Sequence, residues 1–171
     1  MSSTAPPGPR IANARRSFCI VASEFNGQYV QGLVDHAISE LRALAPNATT
    51  SLYRVPGAFE IPVVVRELAA QNKANAVIAC GVILQGETNH AQNLSRSVTD
   101  ALQRIAVEQA VPVINVVLSF DNEDQARVRC LEDRINRGTE AARAAVEIAN
   151  VLTDLRNKQG AAVSSPPRDN G

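Results

Sequence analysis

Ala76-Val77-Ile78-Ala79-Cys80-Gly81-Val82-Ile83-Leu84 is the stretch on which the fold turns. It is an unbroken apolar run of strand length, as expected of a strand covered on both faces. Working outward, runs of this kind alternate with segments of helical period. Residues 18–22 form a shorter apolar strand, followed by a helix marked by Val30, Leu33, Val34, Ala37, Ile38 and Leu41 that closes near Pro46. Residues 50–55 form a second strand, more polar and therefore at an edge, which Pro56-Gly57 ends. Ile61, Val64, Val65 and Leu68 mark a second helix, with Pro62 tolerated in its first turn. Beyond residue 84 come a helix with Leu94, Val98, Leu102 and Ile105 on one stripe, a fourth strand over 111–118, a short helix near 123–129 and a last helix from about 138 to 156. This alternation predicts an α/β fold: a four-stranded parallel sheet with right-handed crossovers and helices on both faces.

The ends differ in composition. Residues 1–16 contain Pro6, Pro7, Gly8 and Pro9, and residues 157–171 contain Gly160, Ser164, Ser165, Pro166 and Pro167. Both read as flexible segments, an N-terminal arm and a C-terminal tail, flanking one domain over 17–156. There is no internal repeat. Of the 171 residues, 45% are hydrophobic and 20% charged, which suits a packed core rather than a disordered chain. Lys plus Arg equals Asp plus Glu at 17 each, and there is no Trp, so no basic excess and little aromatic platform point to nucleic acid. No apolar run approaches the ~20 residues of a membrane span, and the first residues carry no apolar stretch of a secretion signal. Cys19, Cys80 and Cys130 have no metal-type spacing and read as buried thiols of a cytoplasmic protein.

In a doubly wound sheet, ligands settle beyond the carboxyl ends of the strands. Four loops lie there. In Ser23-Glu24-Phe25-Asn26-Gly27, the Phe25 ring either stacks on a flat heterocycle or lids the helix beneath. In Val55-Pro56-Gly57-Ala58-Phe59-Glu60-Ile61-Pro62, Gly57 permits a close approach and the amides of Ala58 and Phe59 face a helix start. Glu60 there either complements the helix dipole or accepts hydrogen bonds from a polyol. In Gly86-Glu87-Thr88-Asn89-His90, small and hydroxyl residues at a helix start suit an anion, and His90 in the first turn suits proton transfer. His36, mid-helix with no loop beside it, reads as a surface or interface residue. The last region carries Arg127, Arg129, Arg134 and Arg137 among acidic residues. It is either a solvated mixed-charge face or a phosphate clamp, and composition does not say which arginine clamps.

Taken together, Phe25-Asn26, the Val55 to Pro62 stretch, Gly86-Glu87-Thr88-Asn89-His90 and the run from Gln125-Ala126 through Arg129 to Asn136-Arg137-Gly138 resemble the lumazine synthase family, in its order and near its spacing. The resemblance covers nearly all of residues 17–155. It implies a flavodoxin-like three-layer α/β/α sandwich assembled as homopentamers, sometimes paired into decamers or built into sixty-subunit shells, with sites at subunit interfaces. It implies condensation of 5-amino-6-(D-ribitylamino)uracil with 3,4-dihydroxy-2-butanone 4-phosphate, with no metal or organic cofactor.

The resemblance also implies residue roles. His90 matches the proton-transferring His and Arg129 the phosphate-binding Arg. Glu87 and Thr88 occupy the phosphate loop, and Phe25 with Asn26 faces the pyrimidine. Ala58, Phe59 and Glu60 hold ribityl chain and ring, Val82, Ile83 and Leu84 present backbone groups, and Arg137 stands where Lys is common. Three departures touch the pyrimidine grip: Ala91-Gln92-Asn93 after the His, Gln85 before the glycine, and Asn115, expected as a buried amide needing partners, where Phe is frequent. They motivate an alternative, a catalytically weak paralogue that binds flavin or lumazine or forms a shell.

Overall fold

The computed structural model describes residue 8 and residues 15–161, with side chains to residue 158. Most of the predicted arm, and the tail from residue 162 onward, lie outside the described residues. The elements are β1 (Ser17–Ser23), α1 (Gly27–Leu44), β2 (Thr49–Val55), α2 (Ile61–Ala70), β3 (Ala76–Leu84), α3 (His90–Gln109), β4 (Val113–Phe120), α4 (Glu123–Cys130) and α5 (Arg137–Ala161). A single 3-10 turn, Ala58–Glu60, leads into α2.

The sheet is parallel throughout, in the order β2-β1-β3-β4. Helices cover both faces, which makes the flavodoxin-like three-layer α/β/α sandwich. Alternate side chains of the central strands feed two cores. Phe18, Ile20, Ile78 and Cys80 pack under α1 and α5 with Leu33, Val34, Ala142 and Val146. Cys19, Val21, Val77 and Ala79 pack under α2 and α3 with Ile61, Val65, Val98 and Leu102. Burying each such branched side chain contributes roughly 1.5–3 kcal/mol. β3 is buried along almost its whole length, whereas β2 is largely exposed, as its edge position requires.

Several boundaries move relative to the sequence reading. β4 begins two residues later, because Pro112 has no N–H for the ladder and only its carbonyl takes part, accepting from Val77 N. α5 continues past residue 156 to Ala161. Arg16, counted with the arm, is anchored: Nη1 donates to Ala149 O at 3.0 Å and Thr153 Oγ1 at 2.9 Å, and Nη2 to Asn150 Oδ1 at 2.9 Å. Among the described residues no helix is long and apolar enough to cross a membrane, and no group of three or more His, Cys, Asp or Glu is placed to hold a metal.

Candidate functional site

β1 has β2 on one side and β3 on the other, so the crossovers diverge between β1 and β3 and leave a crevice at their carboxyl ends. The register deepens it. β1 pairs with β3 only as far as Ala22 opposite Cys80, while β3 pairs with β4 on to Leu84 opposite Phe120. The last residues of β3 therefore have no strand on the β1 side. Asn26 fills part of that notch: its Nδ2 donates to Val82 O at 2.7 Å. The Asn26 backbone is left-handed (φ 55°), a conformation Asn tolerates better than most residues, and it opens α1.

The loop after β1 is zipped to the loop after β2, Glu24 N to Val55 O at 2.8 Å and Phe25 N to Pro56 O at 3.1 Å. This holds the Phe25 ring out over the crevice, 73% exposed. Across from it stands Phe59, 67% exposed. The other two of the four phenylalanines, Phe18 and Phe120, are buried. Both exposed rings therefore belong to this site. Together with Asn26, Ala58, Glu60, Val82, Ile83, Leu84 and His90 they line a pocket of about 330 Å³. That volume suits a small bicyclic or monocyclic heterocycle.

Glu60 resolves differently from either sequence alternative taken alone. Its Oε2 accepts from Gly57 N at 2.9 Å, satisfying the N–H at the head of the 3-10 turn. Gly57 is extended, a conformation open to any residue. Its lack of a side chain matters because a Cβ there would lie 3.1 Å from that carboxylate oxygen. His90 sits at the rim as the first residue of α3, and Asn89 before it makes no side-chain cap. The first N–H groups of this 20-residue helix have no intrahelical partner. Glu87 and Thr88 are exposed and do not line the pocket.

Three predicted residues lie elsewhere on the chain. Asn115 and Arg137 line a second hollow of about 280 Å³ between the free edge of β4 and α5. Asn115 is exposed, which corrects the expectation of a buried amide: β4 is the outer strand, and the amide bridges Thr99 Oγ1 at 3.2 Å and Val117 N at 3.0 Å. Arg129, on α4 in the α1–α5 layer, lines neither hollow. Of the clustered arginines, Arg127 is paired with Glu132 and Arg137 with Glu140. Arg129 has no ion pair among the described residues, and its Nη1 is buried without a hydrogen-bond partner. Buried polar atoms without partners are rare, which sets this guanidinium apart from Arg127 and Arg137.

Gly57, Ser23, Ala91 and Leu94 also line the first pocket. Leu94 was given no site role from sequence, but it was legible as the residue one helical turn beyond His90. Ser23 stood in a ligand-facing loop and Ala91 among the departures after His90, neither with a stated role in the site. His36 is tied into its own chain, with Nδ1 at 2.8 Å from Gly32 O and Nε2 at 2.8 Å from Asp133 Oδ1.

A parallel sandwich with an aromatic-lined hollow at the β1/β3 switch is a flavodoxin-like α/β domain. The family model for 6,7-dimethyl-8-ribityllumazine synthase matches residues 15–153. Curated relatives carrying that same name include proteins of Paraburkholderia phymatum (39% identical, over 82% of this chain and 80% of the relative) and Chromobacterium violaceum (36%, over 80% and 86%). A third, from Burkholderia multivorans, is 39% identical over 80% of this chain and 77% of its own. The chain belongs to the lumazine synthase family.

Proposed function

We propose that the protein condenses 5-amino-6-(D-ribitylamino)uracil with 3,4-dihydroxy-2-butanone 4-phosphate to 6,7-dimethyl-8-ribityllumazine, phosphate and water, as a transferase of riboflavin biosynthesis in the cytoplasm. The observation that carries this reading is the pair of exposed rings, Phe25 and Phe59, lining one pocket together with the end of β3 and His90. Solvent-facing aromatic surface on this scale is unfavourable without an occupant. A flat pyrimidine stacks on Phe25. The backbone of Ile83 and Leu84 reads its polar edge, while the Val82 carbonyl is already engaged by Asn26. The ribityl chain runs along Ala58, Phe59 and Glu60.

The chemistry asks for little more than positioning and proton transfer. The aromatic amine adds to the ketone, phosphate leaves, and the ring closes. His90 moves the protons. The open amides at the head of α3, with Thr88 and the backbone of Glu87, receive the phosphate, and Arg129 neutralises it. Arg129, Asn115 and Arg137 lie away from the pocket of Phe25 and His90. This supports a site completed by the next subunit of a homopentamer, alone or within a decamer or sixty-subunit shell. No metal or organic cofactor enters the scheme.

The test is to mix purified protein with both substrates and follow lumazine absorbance and fluorescence. Product formation above the uncatalysed rate is expected. Tight flavin binding with no product would instead mark a non-catalytic binding or shell protein.

A further inference from the structure

The carboxamide of Asn136 is 2% exposed and sits between the end of α4 and the start of α5. Its Nδ2 donates to Cys130 O at 2.9 Å and to Glu132 O at 3.1 Å, and its Oδ1 accepts from Gly138 N at 2.8 Å. Cys130 is the last residue of α4 and follows Arg129 directly. Gly138 lies in the first turn of α5 and follows Arg137 directly. α4 has only 8 residues, so its end is not held by helix propensity and its last carbonyls need partners. One buried side chain thus closes the end of α4 and the head of α5 at once.

The same junction is pressed against one turn of α1. A Cβ on Gly32 would come within 2.4 Å of Cys130 O, and a Cβ on Gly138 within 2.1 Å of Leu33 O. Few side chains could replace the carboxamide. Two donors and an acceptor on a short stem are needed together; ionised Asp has no donor, Ser has only one, and Gln is too long.

We infer that Asn136 is the positioning residue that sets the end of α4, and with it Arg129, and so governs the grip on the phosphate of the four-carbon substrate. This rests on the proposed phosphate role of Arg129. The amide touches no substrate; it acts by fixing the backbone next to Arg129.

The experiment measures inorganic phosphate and riboflavin binding by calorimetry on the full-length protein, wild type and Asn136→Asp, with Val146→Ala as a core-destabilised control. The phosphate Kd of Asn136→Asp is expected to rise ~10-fold, since small misplacements of a clamp are costly. Its riboflavin Kd is expected to change by less than about twofold, with the control moving neither beyond the effect of distant sites. Equal losses toward both ligands, or an unchanged phosphate Kd, would overturn the inference. If Asn136→Asp does not fold, Asn136→Ser is read by the same split. Wild-type protein that binds no phosphate removes the clamp and this inference with it. That failure is seen before any variant is made, and so is distinct from a clamp that binds but ignores residue 136.

Discussion

His36 has two partners, and both can only accept. Nδ1 must donate to the Gly32 carbonyl and Nε2 to the Asp133 carboxylate, so both bonds are made only by the imidazolium. Burial opposes that charge, but the Asp133 hydrogen bond, the Gly32 bond and the attraction of Asp133 and Asp35 outweigh it, and the pKa lies above its ordinary 6.5. A raised folded pKa means that the stabilisation is fully present below 6.5 and fades as pH rises through the folded value. Asp133→Asn is therefore expected to lower the Tm most between about pH 5 and 6.5 and to match wild type in alkaline buffer. A Tm gap of constant size across that range would refute the assignment.

At the proposed site, Arg129→Ala should abolish phosphate-dependent binding while flavin still binds, read by calorimetry; tight phosphate binding by this variant would remove Arg129 from the clamp. His90→Ala should slow condensation ~100-fold with the pyrimidine KM little changed. The three cysteines are buried and free, and burial pushes the thiols of Cys80 and Cys130 up to about 12. None should react with a thiol reagent in native protein at neutral pH, and all three should react after denaturation.

α1 and the α4–α5 junction meet with no room for a side chain at Gly32 or Gly138. A methyl group at residue 138 would collide with Leu33 O, and backbone cannot yield as a flexible side chain can. Gly138→Ala should destabilise by about 1–3 kcal/mol or more, seen as a lower urea midpoint at unchanged m value. Element type was readable from the chain because the apolar period switches cleanly between buried strand and amphipathic helix. Boundaries were less so. Val111 looks like strand by hydrophobicity, yet it is buried without pairing, because Pro112 delays the ladder. The 3-10 turn at Ala58–Glu60 was not legible either, since the residue before it is Gly57, which has no side chain to signal a cap.

On the scale of the whole molecule, the proposed groups fall into two sets on one chain. Phe25, Phe59 and His90 share one hollow, and Asn115 and Arg137 share another at the open edge of β4. If neighbouring copies bring the sets together, light scattering should give a mass that is a multiple of five chains, and a monomer would exclude the shared site. Co-refolding inactive Phe25→Ala with inactive Arg129→Ala should then restore about a quarter of wild-type activity, because random mixing places two intact halves at that share of interfaces. No recovery would place both residues in a single-chain site.

Sequence alone determined the layered α/β class, the approximate strand ends, and the identity of the residues in the loops beyond them. Hydrophobic period and the turn residues Pro, Gly and Asn are local signals, carried by neighbours in the chain. Only the tertiary structure decided that β1 stops short of β3 and opens the notch, that Glu60 folds back on Gly57, that Asn115 faces outward, and that Arg129 is left with an unpartnered nitrogen. Each of these depends on register and on contacts between residues far apart in the chain, and such contacts leave no trace in local pattern.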